Sequence, residues 1–192
     1  SHDFVYHDLS KMMIFAGNHD TDRIGDVVRK NPERLKLVMT MLATLRGIPQ
    51  IFAGDEMMFT SKELSQGHGG LRVDFPGGWT GDAKNLFTAE GRTGLEKELF
   101  DYTQRLFQWR RGKSVIHNGR TMHFLSRDNT YAYFRYNDTD AVFVFINNSR
   151  GRKQVPWSHY AEITEGLHDG RNVLTGEAAT VDGHTIVGAR QA

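Results

Sequence analysis

The chain has 192 residues, of which 39% are hydrophobic, and its formal net charge is +1. This composition supports a buried core, excludes a bilayer-spanning run of eighteen apolar residues, and offers no basic face for nucleic acid. The absence of cysteine excludes disulfides and thiolate chemistry, and the nine histidines show no zinc-ligand spacing. The chain opens on Ser1, His2 and Asp3, which are polar, so we expect no signal peptide here.

The first half of the chain predicts a βαβ unit. Residues 12–16 form a short apolar run without alternation, which is typical of a parallel strand buried on both faces. Asn31 and Pro32 are an N-cap residue and a first-turn proline, so they predict the start of a helix that ends before Gly47. Residues 48–53 form a second apolar run. Strand, helix and strand in this order predict two parallel strands.

A glycine-rich loop is predicted from about residue 55 to residue 91. Apolar residues from Leu95 to Trp109 then recur at helical spacing and predict an amphipathic helix. After this helix the sequence changes character, so we place a domain boundary between residues 1–111 and residues 112–192.

The second half of the chain predicts an all-β domain. Short aromatic and β-branched runs alternate with turns rich in Asn, Asp and Gly. Six such runs at this spacing are typical of an antiparallel β-sandwich. The predicted strands are residues 121–125, 130–136, 141–146, 152–157, 171–174 and 184–187.

A polar cluster follows each of the two predicted parallel strands, at residues 18–23 and residues 54–56. Active sites of α/β folds lie at the carboxyl ends of parallel strands. Carboxylates, an imidazole and a guanidinium on one rim could bind a polyhydroxylated ligand or stabilise a developing cation. The same residue types are also common in a loop that caps the next helix, so composition leaves both interpretations open.

The order of the residues favours the functional site over the helix-capping loop. Residues 15–20 (FAGNHD) resemble the seventh-strand motif of the alpha-amylase family, glycoside hydrolase family 13, and residues 47–56 (GIPQIFAGDE) resemble its eighth-strand motif. Residues 72–79 and 3–6 are similar to segments of the neopullulanase and cyclomaltodextrinase branch. The resemblance extends to the C-terminal β-sandwich domain of the family, through residues 141–148 and 172–176.

The resemblance implies the C-terminal part of a (β/α)8 TIM barrel, strands seven and eight, followed by an antiparallel β-sandwich. It also implies a retaining mechanism, in which a nucleophile, an acid/base and a third carboxylate act together. Asp20 matches the third carboxylate, which stabilises the transition state. His19 matches a histidine that contacts the same sugar, and Asn18 and Arg23 are further candidates for substrate binding. Arg23 is close enough along the loop to orient either Asp20 or a neighbouring sugar.

The nucleophile and the acid/base belong to barrel strands that this sequence does not contain, so we expect the chain alone to be inactive. The parent enzyme is expected to hydrolyse α-1,4 bonds, with α-1,6 bonds as a further candidate, in maltooligosaccharides, cyclodextrins or pullulan. The alternative is a non-catalytic carbohydrate-binding or scaffold module derived from the family.

Further expectations concern the glycine-rich loop and the partners. Trp79 is a candidate platform for a sugar ring, and Asp74 and Asp82 leave calcium open as a cofactor, although we predict no residue as a metal ligand. Neither nucleic acid nor a membrane is an expected partner. Exposed barrel strands are expected to drive oligomerisation. The periplasm or the extracellular space is favoured over the cytoplasm.

Overall fold

The computed structural model describes residues 3–62 and 64–192, which form two compact units. The α/β unit comprises the described residues of 11–42 and 47–104. The β unit comprises the described residues of 1–10 together with 43–46 and 105–192. The domain boundary after residue 111 stays a prediction.

Two parallel strands form the sheet of the α/β unit. β1 (Met13–Phe15) pairs with β2 (Ile48–Gln50), with Met13 opposite Ile48 and Phe15 opposite Gln50. Between them come the short helix α1 (Ile24–Val27) and the longer helix α2 (Pro32–Thr44). The predicted strand–helix–strand order and the parallel pairing are therefore confirmed.

The predicted burial of the first strand is wrong for this chain. The side chains of Met13 and Phe15 are 57% and 43% exposed. In the described part of the chain the sheet has only two strands, so each strand keeps one unpaired edge and an open face. An apolar run without alternation is typical of a strand that other elements bury on both faces. A sheet of two strands leaves part of such a strand exposed to solvent.

Helix α2 begins and ends where its sequence predicts. The Asn31 side-chain oxygen accepts a hydrogen bond from the Arg34 amide at 2.9 Å, which caps the first turn. Leu35 and Met39 lie on its buried face. After the helix Gly47 adopts a φ of +122°, and a Cβ there would lie 2.6 Å from the Met12 carbonyl oxygen. Only glycine fits this close approach.

The long connection after β2 contains two 3-10 segments, Asp55–Met57 and Leu64–Leu71. Helix α3 (Gly94–Arg111) follows, with Leu99 and Leu106 buried, as the apolar spacing predicts. Among the described residues, no helix combines the length and the apolar character needed to cross a membrane.

All strand pairs of the β unit are antiparallel, as predicted. One sheet has three strands in the order β3-β4-β5, and two further sheets pair β6 with β9 and β7 with β8. Two short helices, which the sequence did not predict, complete the unit. The elements are β3 (Arg120–His123), β4 (Thr130–Tyr136), β5 (Ala141–Asn147), β6 (Lys153–Pro156), β7 (Asp169–Arg171), β8 (Ala178–Thr180), β9 (His184–Val187), α4 (Ser114–Asn118) and α5 (Ala161–Thr164).

The strand predicted at residues 171–174 is wrong in its position. The structure has a strand at Asp169–Arg171 and a turn after it. The Asn172 side-chain oxygen accepts hydrogen bonds from the Leu174 and Thr175 amides at 2.9 and 3.1 Å, which bends the backbone into an Asx turn. This turn joins β7 to β8, a strand that the sequence did not predict.

An apolar core lies among the strands of the β unit. Phe134 of β4, Phe145 of β5 and Val155 of β6 are buried in one cluster with Tyr160. Phe143 packs its ring 4.9 Å from that of Tyr160. Both the three-stranded sheet and the β6–β9 pair therefore contribute residues to a single core.

Candidate functional site

The loop after β1 is shaped by its own side chains. The Asn18 amide donates to the Thr21 hydroxyl at 2.9 Å, and the Asn18 side-chain oxygen accepts from the Asp20 amide at 2.8 Å. These two bonds fold residues 18–21 into a tight turn. Asn18 thus positions Asp20, and its own binding to substrate stays a prediction.

The carboxylate of Asp20 is exposed and lies among three basic side chains. His19 Nε2 is 3.1 Å from Oδ2, and Arg72 Nη2 is 3.1 Å from Oδ1. His68 Nδ1 is 3.6 Å from the same Oδ1. The side chain of Asp20 is 55% exposed, so its oxygens remain open to a ligand that approaches from solvent.

Arg23, for which the sequence leaves substrate contact and orientation of Asp20 open, is buried. Its side chain is 1% exposed, and Nη1 donates to Asp55 Oδ1 and to the Ala53 carbonyl oxygen, each at 2.9 Å. Its guanidinium also lies 4.0 Å from the centre of the Phe52 ring. This burial does not fit the predicted direct contact with substrate. It favours a positioning role, in which Arg23 ties the loop after β1 to the end of β2.

The turn after β2 is built around Gly54. Its φ is +90°, and a Cβ there would lie 2.2 Å from the Phe59 ring, so glycine is required on both counts. The Gly54 amide donates to Glu56 Oε2 at 2.9 Å. Residues 54–56 therefore shape the rim of the sheet at the end of β2.

Burial governs the protonation of the two rim acids. It raises the pKa of the Asp55 carboxyl to about 6, although the Arg23 guanidinium pulls that pKa down, and the Glu56 charge adds to the rise. Burial likewise raises the pKa of Glu56, against hydrogen bonds from the backbone. The Arg23–Asp55 pair is thus a buried ion pair whose carboxyl group has a pKa of about 6.

The loop that carries Trp79 lies in the same unit. Trp79 is exposed, and its amide donates to Asp82 Oδ2, which also accepts from the Gly77 amide. Within the described residues, no group of three or more His, Asp or Glu side chains could hold a metal ion. Calcium binding through Asp74 and Asp82 stays a prediction.

Sequence reasoning missed His68 and Arg72 as neighbours of Asp20. Both lie about fifty residues after Asp20, in and just after the 3-10 segment Leu64–Leu71. Arg72 opens the string of residues 72–79 that resembles the neopullulanase branch. That resemblance was the signal in the sequence that could have identified Arg72 as a cation beside the exposed carboxylate of Asp20.

Comparison with known proteins gives matches over most of the chain. Residues 121–192 match the sequence model of the cyclo-malto-dextrinase C-terminal domain. Maltogenic alpha-amylase of Bacillus acidopullulyticus is 28% identical over 74% of this chain, and a cyclomaltodextrinase of a Bacillus species is 24% identical over 83%. The chain is therefore similar in sequence to alpha-amylases and cyclomaltodextrinases. It spans 22% and 25% of the length of these two relatives.

Solved structures of alpha-amylases share this fold. An Anoxybacillus alpha-amylase superposes with a TM-score of 0.71 at 22% identity, covering 95% of this chain and 37% of that one. Geobacillus thermoleovorans alpha-amylase complexed with acarbose gives a TM-score of 0.69 at 20% identity, covering 95% and 38%. The α/β and the β parts of this chain are therefore both found in family structures.

The arrangement around Asp20 suits recognition of sugar hydroxyls. An exposed carboxylate accepts hydrogen bonds from hydroxyl groups, and the side chains of His19 and Arg72 beside it offer N–H donors to the same ligand. Hydrogen bonds of this kind accelerate a reaction when they strengthen as positive charge develops on the sugar.

Proposed function

We propose that this chain is the C-terminal part of a retaining hydrolase of α-glucans. In this proposal residues 1–111 supply strands seven and eight of a (β/α)8 barrel, and residues 112–192 form a β-sandwich. The observation that carries the proposal is the exposed Asp20 carboxylate at the end of β1, held by its own loop and flanked by His19 and Arg72. The turn at residues 54–56 completes the same edge of the parallel sheet.

Asp20 would act as the transition-state stabiliser. Its oxygens would bind hydroxyls of the sugar at the cleaved bond, and these bonds would strengthen as the ring flattens and charge develops. His19 and Asn18 would bind or orient the same sugar. Arg23 would hold the loop after β1 in place through its contacts with Ala53 and Asp55. The nucleophile and the acid/base would come from strands outside this chain.

The substrates that we propose are maltooligosaccharides, cyclodextrins and pullulan. The names of relatives, among them maltogenic alpha-amylase and cyclomaltodextrinase, and the acarbose complex of a structural neighbour support α-glucans as the class. Cleavage of α-1,6 bonds, a calcium ion near Asp74 and Asp82, and work in the periplasm or outside the cell belong to the same proposal.

Reducing-sugar release from maltoheptaose tests this function. We expect none from the purified chain, because Asp20 alone cannot supply the two carboxyl groups, about 5 Å apart, that a retaining enzyme needs. We expect turnover from the complete gene product, and a loss of about 10²- to 10³-fold in kcat on Asp20→Asn. Turnover by the chain alone that Asp20→Ala abolishes would overturn the proposed division of the active site.

The alternative is a non-catalytic carbohydrate-binding or scaffold module. Exposed Trp79 fits this alternative as well, because a sugar platform needs no catalytic carboxylate. A complete gene product that binds maltoheptaose, releases no sugar and is indifferent to Asp20→Asn would support this alternative.

A further inference from the structure

The loop between β2 and α3 presents two aromatic side chains to solvent. Trp79 is 72% exposed and Phe87 is 63% exposed. Large aromatic rings gain most from burial, so two of them in one exposed loop mark a candidate contact surface. The backbone that carries them is tightly held.

Asp82 fixes the position of Trp79. A single carboxylate oxygen of Asp82 accepts hydrogen bonds from the Gly77 amide at 2.7 Å and the Trp79 amide at 3.1 Å. The Asp82 amide in turn donates to the Trp79 carbonyl oxygen at 3.2 Å. Residues 77–82 therefore form a closed turn, which holds the Trp79 backbone from both its amide and its carbonyl side.

The base of the loop is anchored in the core. The Leu86 amide donates to the Pro76 carbonyl oxygen at 2.9 Å, and the Leu86 side chain is 1% exposed. Arg92 Nη1 donates to the Leu86 carbonyl oxygen at 2.8 Å, while its guanidinium lies 3.8 Å from the centre of the Phe100 ring. The loop is thus closed at its neck and fastened to α3.

Two glycines of this loop lie where neighbouring atoms leave no room for a side chain. Gly77 has a φ of +102°, and a Cβ there would lie 2.3 Å from Asn85 Oδ1. A Cβ on Gly91 would lie 1.6 Å from the Asn85 carbonyl oxygen. A loop that is ordered before it binds loses little conformational entropy on binding, which favours a flat ligand on an exposed ring.

We propose that the loop of residues 76–91 is a preformed platform for an α-glucan, with Trp79 stacked on the apolar face of a glucose unit and Asp82 as its positioning residue. This proposal rests on the proposed function, since that function supplies the ligand class. A pyranose ring offers C–H groups on one face and hydroxyls at its rim, so it suits an indole ring with a polar N–H at its edge.

Titration of the purified chain with maltoheptaose, by calorimetry and by tryptophan emission, tests the platform. We expect Trp79→Ala to weaken binding at least about tenfold, since stacking on the indole supplies most of the buried apolar area. Trp79→Phe keeps a flat ring and should retain part of the affinity. Leu125→Ala is the matched control, because Leu125 is 83% exposed and lies in the β unit.

Two variants separate the positioning role of Asp82 from a general loss of structure. Asp82→Ala removes the acceptor of both amides, so we expect roughly tenfold weaker binding and faster hydrogen exchange at the Gly77 and Trp79 amides. Asp82→Asn keeps a side-chain oxygen and should stay within about threefold of the unaltered chain.

Three results would overturn the platform. The first is no binding of maltoheptaose at millimolar concentration. The second is a Trp79→Ala variant that binds as tightly as the unaltered chain. The third is an Asp82→Ala variant that binds as tightly as the unaltered chain and whose Gly77 and Trp79 amides exchange at an unchanged rate. The proposed function fails separately, when the complete gene product shows no turnover that depends on Asp20.

Discussion

Arg23 and Asp55 form a buried ion pair, in which Nη1 of the guanidinium lies 2.9 Å from Oδ1 of the carboxylate. Arg23 directly precedes α1, Asp55 begins the 3-10 segment after β2, and both side chains are almost fully buried. The pair therefore connects the loop that carries Asp20 to the turn after β2.

Removal of one partner should destabilise the α/β unit strongly. Arg23→Ala leaves the Asp55 carboxylate buried without its cation, so we expect a loss of about 3–5 kcal/mol in the free energy of unfolding. Arg23→Lys should recover only part of this loss, because an ammonium lacks the planar fork that also packs on Phe52. Urea denaturation followed by circular dichroism measures both changes.

Lys97→Ala is the control for this experiment. Lys97 pairs with Asp101 one helical turn away at the surface of α3, and we expect less than about 0.5 kcal/mol from its removal. Equal effects of the buried and the exposed variants would contradict the role of the Arg23–Asp55 pair.

Stability should fall as the pH rises through the range in which Asp55 ionises. Burial raises the pKa of Asp55 from 3.8 to about 6, so the folded chain binds this proton more tightly than the unfolded chain does. The group therefore adds stability that is complete below about pH 4 and lost as the pH rises through about 6.

Asp55→Asn isolates this contribution. We expect the free energy of unfolding of the unaltered chain, minus that of the variant, to fall by roughly 2–3 kcal/mol between about pH 4 and about pH 7. Denaturation curves at a series of pH values give this difference. A difference that is flat or rises with pH would contradict the raised pKa.

Asn147 should be indispensable to the β unit. Its side-chain nitrogen Nδ2 donates to the carbonyl oxygens of Gly151 and Gly188. Its side-chain oxygen accepts from the backbone amide and the hydroxyl of Ser149. Because Asn147 is fully buried, Asn147→Ala leaves these groups unsatisfied and should cost about 2–4 kcal/mol. Thermal unfolding measures the loss, with the exposed neighbour Asn148→Ala as control; equal melting temperatures would contradict the prediction.

The open strands of the α/β unit should drive self-association. Met13 and Ile48 lie opposite each other on β1 and β2, and both are more than half exposed. Unpaired edges with apolar side chains associate, so we expect the chain to sediment above its monomer mass. Met13→Lys combined with Ile48→Lys should shift it toward monomer, whereas Leu125→Lys should not. A concentration-independent monomer for the unaltered chain would contradict this prediction.

Local patterns predicted most of the elements. Asn31 and Pro32 marked the start of α2 because capping depends on residues within one turn. The strands at Thr130–Tyr136 and His184–Val187 match their predicted bounds because each is flanked by strong turn residues. The prediction failed at residues 171–174, where the Asn172 side chain bends the backbone, and at β8, whose three residues carry no apolar pattern.

The sequence by itself determined the strand–helix–strand order of the α/β unit, the parallel pairing of β1 with β2 and the family resemblance around Asp20. All of these depend on residues that are close together in the chain. Only the tertiary structure decided which side chains meet across it: Arg23 is buried against Asp55, and Arg72 and His68 lie beside Asp20. These pairs are about thirty to fifty residues apart, and their contacts depend on how strands and loops pack, which no local spacing encodes.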